Sequence, residues 1–96
     1  MAEFQAIIMK ANDNVGTAIE AIAAGTETAV RRGGETLRIK VTQPIPFGHK
    51  FALRDIRQGD PVIKYGEIIG LATQDIQAGQ HVHVHNLESC RGRGDK

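Results

Sequence analysis

One short pattern occurs twice in the second half of the chain. Asp55-Ile56-Arg57-Gln58-Gly59-Asp60-Pro61-Val62 recurs as Asp75-Ile76-Gln77-Ala78-Gly79-Gln80-His81-Val82, so both stretches read D-I-x-x-G-x-x-V. A weaker echo, Ile22-Ala23-Ala24-Gly25, lies upstream. Each copy reads as the end of a short apolar segment, a glycine-containing turn and the start of a strand. Two clear copies are too few for a solenoid, which needs at least three stacked units. The repeat therefore predicts two related hairpins in one small β domain, joined by Lys64-Tyr65-Gly66-Glu67-Ile68-Ile69-Gly70. A chain of 96 residues suits a single domain with a modest core. With aromatic content at 4% and no Trp, Ile, Val, Leu and Ala must build that core.

Upstream, Phe4 to Met9 reads as a first strand. Val15, Ala18, Ile19, Ile22 and Ala23 recur at helical spacing behind the polar Asp13-Asn14. This predicts a helix over Val15 to Ala24, capped by Asp13-Asn14 and closed by Gly25. Thr26 to Val30 and Thr36 to Val41 read as strands, with Arg31-Arg32-Gly33-Gly34 as the turn between them. Leu37, Ile39 and Val41 alternate with Arg38, Lys40 and Thr42, the pattern of a half-buried strand. Gln43-Pro44-Ile45-Pro46-Phe47-Gly48 reads as an ordered loop, because each proline lacks a ladder N–H. The charged, glycine-rich Ser89 to Lys96 reads as a fraying tail beyond a domain at 4–88.

The 12 basic and 11 acidic residues are mixed along most of the chain, which argues against a nucleic-acid-binding face and an anionic-membrane binder. No apolar run approaches a membrane span, and Met1 to Lys10 lacks the layout of a signal peptide. Cys90, the single cysteine, fits a reducing compartment, so a cytoplasmic setting is expected. Arg93-Gly94-Asp95 reads as a coincidental adhesion tripeptide in such a setting.

His81-Val82-His83-Val84-His85-Asn86 is the strongest chemical signal. On a strand, His81, His83 and His85 share one face, while Val82 and Val84 enter the core. Imidazoles two residues apart can share a metal when a third ligand arrives from elsewhere. The same pattern also suits a solvated edge-strand face, and His81 follows its turn closely enough to be simply solvated. Gly48-His49-Lys50 places a titratable imidazole beside a compact positive charge, suited to proton transfer or to holding a carboxylate; an exposed turn is the plain alternative. Lys64-Tyr65-Gly66-Glu67 can line a polar cleft or simply form a β-turn.

Taken together, Pro46-Phe47-Gly48-His49-Lys50-Phe51-Ala52-Leu53, Val62-Ile63-Lys64-Tyr65-Gly66, Ile69-Gly70, the two Asp-Ile…Gly turns and His81-Val82-His83-x-His85-Asn86 resemble the SAF domain of the altronate/galactarate dehydratase family, and most of all its altronate branch. The resemblance covers about residues 4 to 88. It implies a mainly β, SAF-type β-clip with short strands and one short helix. It also implies a hydro-lyase that makes 2-keto-3-deoxy acids from sugar acids by metal-assisted loss of water. Fe(II) is the expected metal, with Mn(II) or Zn(II) as alternatives.

Within that resemblance His83 and His85 are the expected metal ligands, and His49 and Lys50 the expected catalytic groups. Lys50, Tyr65, Glu67 and Asn86 are the expected substrate contacts. The implied partners are a large catalytic subunit or domain and a small-molecule sugar acid. Neither nucleic acid nor membrane is implied, and the exposed strand edges of so small a domain leave room for self-association. Two further readings remain open. One is the small subunit of a sulfolactate sulfo-lyase, which eliminates sulfite. The other is a non-catalytic SAF module that binds a carbohydrate acid or a protein, since fold alone does not give function.

Overall fold

The computed structural model describes residues 5–8, 10, 12–32 and 34–89. They form β1 (Ala6–Ile8), β2 (Val15–Ala18), β3 (Glu27–Arg32), β4 (Glu35–Lys40), β5 (Lys50–Ala52), β6 (Pro61–Lys64), β7 (Glu67–Ala72), β8 (His81–Val82) and β9 (Leu87–Ser89). Six of them make one sheet in the order β4-β3-β1-β2-β5-β8, and a second sheet has the order β6-β7-β9. β1 and β3 run parallel, and the other pairs are antiparallel. The mainly β architecture is the expected one. Cys90, the rest of the tail, Phe4 and Met9 lie outside the described residues.

The expected helix is absent among the described residues, and strand β2 starts the segment that was to form it. The apolar spacing is satisfied in another way. Val15 packs in one core and Ala18 and Ile22 in the other, while Ile19 and Ala23, which a helix would bury, are exposed. Gly16 and Thr17 are weak helix formers, and β2 gains ladders on both sides, to β1 and β5. The polar pair does not cap a helix either. Asn14 accepts from the Ile63 N–H at 2.7 Å and donates to the Pro61 carbonyl at 2.9 Å, and Asp13 accepts from the Gly66 N–H at 2.7 Å.

Four turns of one kind organise the chain. Gly25, Gly48, Gly59 and Gly79 have φ of 86°, 83°, 89° and 90°, each at the third position of a turn that begins one residue after Ile22, Ile45, Ile56 or Ile76. That is the type II geometry, which requires positive φ there. Each turn grips the backbone of one small buried residue through two hydrogen bonds. Gly25 and Thr26 hold Val41, Gly48 and His49 hold Ala18, Gly59 and Asp60 hold Ala72, and Gly79 and Gln80 hold Ala52, at 2.8–2.9 Å. The isoleucines pair in turn, Ile22 with Ile45 and Ile56 with Ile76. In the repeat the pairing is reciprocal, for Asp55 Oδ1 accepts from Ala78 N and Asp75 Oδ1 from Gln58 N, both at 2.9 Å. The two copies of the sequence pattern thus face each other about a local two-fold.

Two cores result. One gathers Ala6, Ile8, Ala18, Ile22, Val30, Val41, Ile45 and Phe51. The other gathers Val15, Ala52, Ile56, Val62, Ala72, Ile76 and Val82, between the small sheet and the β2-β5-β8 end of the large one. On β5, Phe51 enters the first core and Ala52 the second, so both faces of that strand are covered.

Candidate metal centre

The clip turns decide where the histidines stand. His49 ends the turn that grips Ala18; its N–H donates to the Pro46 carbonyl at 3.0 Å and its carbonyl accepts from Ala18 N at 2.9 Å. Gln80 ends the equivalent turn on Ala52, and His81 follows it as the first residue of β8. β5 and β8 pair with Lys50 opposite Val82 and Phe51 opposite His81. One step further along that register brings His49 beside His83, and their ring centroids lie 4.6 Å apart.

The expected single histidine strand does not continue. It ends at Val82, and 83–86 form a turn. Buried Asn86 shapes that turn. Its Oδ1 accepts from the His83 N–H at 3.0 Å, its Nδ2 donates to the His81 carbonyl at 2.9 Å, and its own N–H reaches the His83 carbonyl at 3.0 Å. The His81 N–H is fixed in turn by Gln43 Oε1 at 2.9 Å. Both backbone segments that bear the rings are therefore held before any ligand arrives.

A compact trio of imidazoles results. Ring nitrogens of His49, His81 and His83, one from each, all lie within 4.8 Å of one another. Nδ1 of His49 and Nε2 of His81 are already at 2.9 Å, sharing a hydrogen bond. A metal about 2.1 Å from each of three nitrogens would hold them roughly 3.4 Å apart in tetrahedral geometry, inside the 4.8 Å span of the trio. The donor chemistry fits a borderline divalent cation such as Fe(II), Mn(II) or Zn(II).

The protonation state fits as well. The pKa of His81 is lowered first by burial, then by the neighbouring His49, His83, His85 and Lys50. That of His83 is lowered by loss of solvent contact, then by His49, Lys50 and His85. Both shifts favour the neutral imidazole, the form that metal ligation requires.

Of the other residues singled out in the sequence, His85 and Lys50 lie near this trio. His85 stands beside it, its ring tilted 42° and 5.6 Å from that of His81, but none of its nitrogens belongs to the compact set. Lys50 follows His49 on β5 with its pKa lowered, by burial and then by the charge of Lys64. Tyr65 and Glu67 sit at the β6–β7 hairpin, which Lys64 links electrostatically to Lys50. Tyr65 has φ 56° ahead of Gly66 at 80°, the type I′ hairpin turn, and Lys64 Nζ lies 4.8 Å from its ring centroid. Asn86 spends its side chain on the backbone of His81 and His83.

Sequence reasoning missed the company His81 keeps, the role of Gln43 and the staple made by Asn86. One signal was present. Ile45-Pro46-Phe47-Gly48 has the spacing of Ile76-Gln77-Ala78-Gly79, and equating the two puts His49 and His81 just past equivalent turns.

Comparison with known proteins follows the same lines. The family model for the altronate/galactarate dehydratase SAF domain matches residues 4–90. The altronate dehydratase of Escherichia coli (strain K12) is 51% identical over 85 residues, which cover 88% of this chain but 16% of that protein. The altronate dehydratase of Bacillus subtilis (strain 168) is 42% identical over 77 residues, 80% of this chain and 15% of that protein. The (2R)-sulfolactate sulfo-lyase subunit alpha of Chromohalobacter salexigens is 40% identical over 88 residues, spanning 88% of this chain and 94% of the subunit. The chain therefore spans about a sixth of the altronate dehydratases it matches and nearly the whole of that sulfo-lyase subunit.

Proposed function

The chain belongs to the altronate/galactarate dehydratase SAF domain family, and on that premise we propose that it is the accessory, metal-holding part of a sugar-acid hydro-lyase. It acts with a large catalytic subunit or domain to form 2-keto-3-deoxy acids from sugar acids. The observation that carries the reading is the trio His49, His81 and His83, converging from two clip turns onto one small volume.

In this reading the trio holds a divalent metal, Fe(II) first, with Mn(II) and Zn(II) as alternatives. Such an ion stabilises negative charge next to a carboxylate and assists departure of a hydroxyl. The assignment keeps His83 from the sequence pattern, moves His49 from proton transfer to ligation, and leaves His85 beside the centre. Lys50, charged and half-buried next to the trio, draws in the substrate carboxylate. Tyr65 and Glu67 supply hydroxyl and carboxylate groups at the hairpin side. Asn86 and Gln43 hold the ring-bearing backbone in place for binding.

A second reading rests on the 94% coverage of the sulfo-lyase subunit alpha. The same trio and Lys50 then serve an enzyme that eliminates sulfite from a sulfonated hydroxy acid. The carboxylate contact is shared and the leaving group differs.

The test is metal binding by the isolated chain under anaerobic, reducing conditions, with Co(II) as the probe and its visible absorption as the signal. The native chain binds one ion. His49→Ala, His81→Ala and His83→Ala each weaken binding at least about tenfold, as expected for loss of a metal-site contact, and His85→Ala keeps it. Undiminished binding by His49→Ala and His81→Ala removes the centre. Turnover of aldonates against release of sulfite by the complete enzyme separates the two readings.

A further inference from the structure

Two apolar side chains stand out around the histidine trio. Phe47 is 72% exposed and Val84 80% exposed, and the other large apolar side chains exposed among the described residues reach 56% at most, at Ile68. Phe47 sits in the turn that ends at His49, and Val84 in the turn that starts at His83. They flank the trio from the two segments that supply it. Neither exposure reflects a loose segment. The Phe47 turn is locked by Pro46 and by its grip on Ala18, and the Val84 turn by Asn86. Rigid, preformed apolar groups cost little entropy to immobilise when a partner covers them.

The trio itself argues for a cover. Three histidine ligands would leave further coordination positions of a divalent ion open, and elimination chemistry gains from a site closed to bulk water. The altronate dehydratases the chain matches carry more than four-fifths of their length outside the matched part, and the sulfo-lyase relative is by name one subunit of an assembly.

We propose that Phe47 and Val84 are the apolar anchors of the surface on which the catalytic portion of the enzyme, borne on the same polypeptide or on a second one, closes over His49, His81 and His83. The inference rests on the small-subunit reading and adds the face by which it docks. Ile68 and Leu71 belong to β7 of the other sheet and are not members of the proposed anchor pair.

The experiment places the photo-crosslinker p-benzoylphenylalanine at position 47, 84 or 68 of the full chain, expressed in its source cells, and maps the crosslinked peptides. Expected are crosslinks from 47 and 84 into sequence resembling the catalytic remainder of altronate dehydratase, and none from 68. In parallel, Phe47→Ser and Val84→Ser lose association with that portion, read as loss of co-purification or of protease protection. Both keep Co(II) binding, which shows the trio intact, and Ile68→Ser keeps both properties. Crosslinks into the catalytic portion from 68 alone overturn the docking face and leave the proposed function standing. Crosslinks from 47 and 84 to a second copy of this chain overturn it in favour of self-association. Absence of any catalytic portion overturns the docking face and the small-subunit reading together, while Co(II) binding still reports separately on the metal centre.

Discussion

At the scale of single residues, the centre is governed by what surrounds two imidazoles. In the folded chain the pKa of His81 and of His83 lies below the 6.5 of a free imidazole. Between the folded and the free value the unfolded chain binds more protons, so stability rises with pH across that window. The contribution is fully present above 6.5 and fades as pH falls toward the lowered values. Lys50 contributes to both shifts. Lys50→Gln is therefore expected to move both pKa values upward and to reduce the loss of stability on acidification. Histidine ring signals followed by NMR across pH 4.5–8 check the first, and urea midpoints at the two ends check the second. Unmoved rings would show that burial and the neighbouring histidines set them without Lys50. The sequence made the His-x-His run visible because the signal is local. It could not show that His49 joins His81 and His83, because that contact depends on the pairing of β5 with β8, whose register is written in turns and not in the histidines.

At the scale of elements, the clip turn is the unit of the fold. The D-I-x-x-G pattern was legible twice, and its echo at Ile22 was visible. The fourth copy was read as a plain proline loop because Pro44 and Pro46 dominate its composition. The helix expected over Val15–Ala24 failed for a related reason. Apolar residues three and four apart also arise where a short strand runs into a clip turn, and only the partners on either side decide which occurs. Two glycines with the same φ then test the clip. Gly25, at φ 86°, has open space where a Cβ would stand, so Gly25→Ala is expected to cost about 1–2 kcal/mol from backbone strain alone. Gly79, at φ 90°, has the Lys40 carbonyl and Val41 in that place. Gly79→Ala adds a collision to the same strain, and a loss above about 3 kcal/mol is expected, within the range of strongly destabilising substitutions. Chemical denaturation of both variants decides it. Equal costs would mean that the turn yields where the geometry says it cannot.

At the scale of the whole molecule, two sheets and two small cores must behave as one domain. The buried side chains of the second core, which joins the sheets, are Val, Ala and Ile, with Ile69 and Leu87 packed against them, so apolar burial there is limited. Buried Asn14 adds a polar link from the end of β2 to β6, through Ile63 N and Pro61 O, and Asp13 adds another to the β6–β7 hairpin at Gly66. Asn14→Ala leaves a donor and an acceptor of β6 without side-chain partners. At about 1–3 kcal/mol for each buried group left unsatisfied, two part-buried groups put the expected loss toward the lower end for a pair, roughly 2–4 kcal/mol, large against the 5–15 kcal/mol typical of a small domain. The loss should also be uneven. Tyr65 is the single tyrosine and there is no Trp, so intrinsic fluorescence reports on the β6–β7 hairpin, whereas ring signals of His49 and His81 report on the β5–β8 end of the large sheet. In the native chain the two signals should change together as urea rises, as in a two-state transition. In Asn14→Ala the tyrosine signal should move to lower urea than the histidine signals. Coincident transitions in the variant would assign the joining of the sheets to the Val62–Val82 core and leave Asn14 as a local contact.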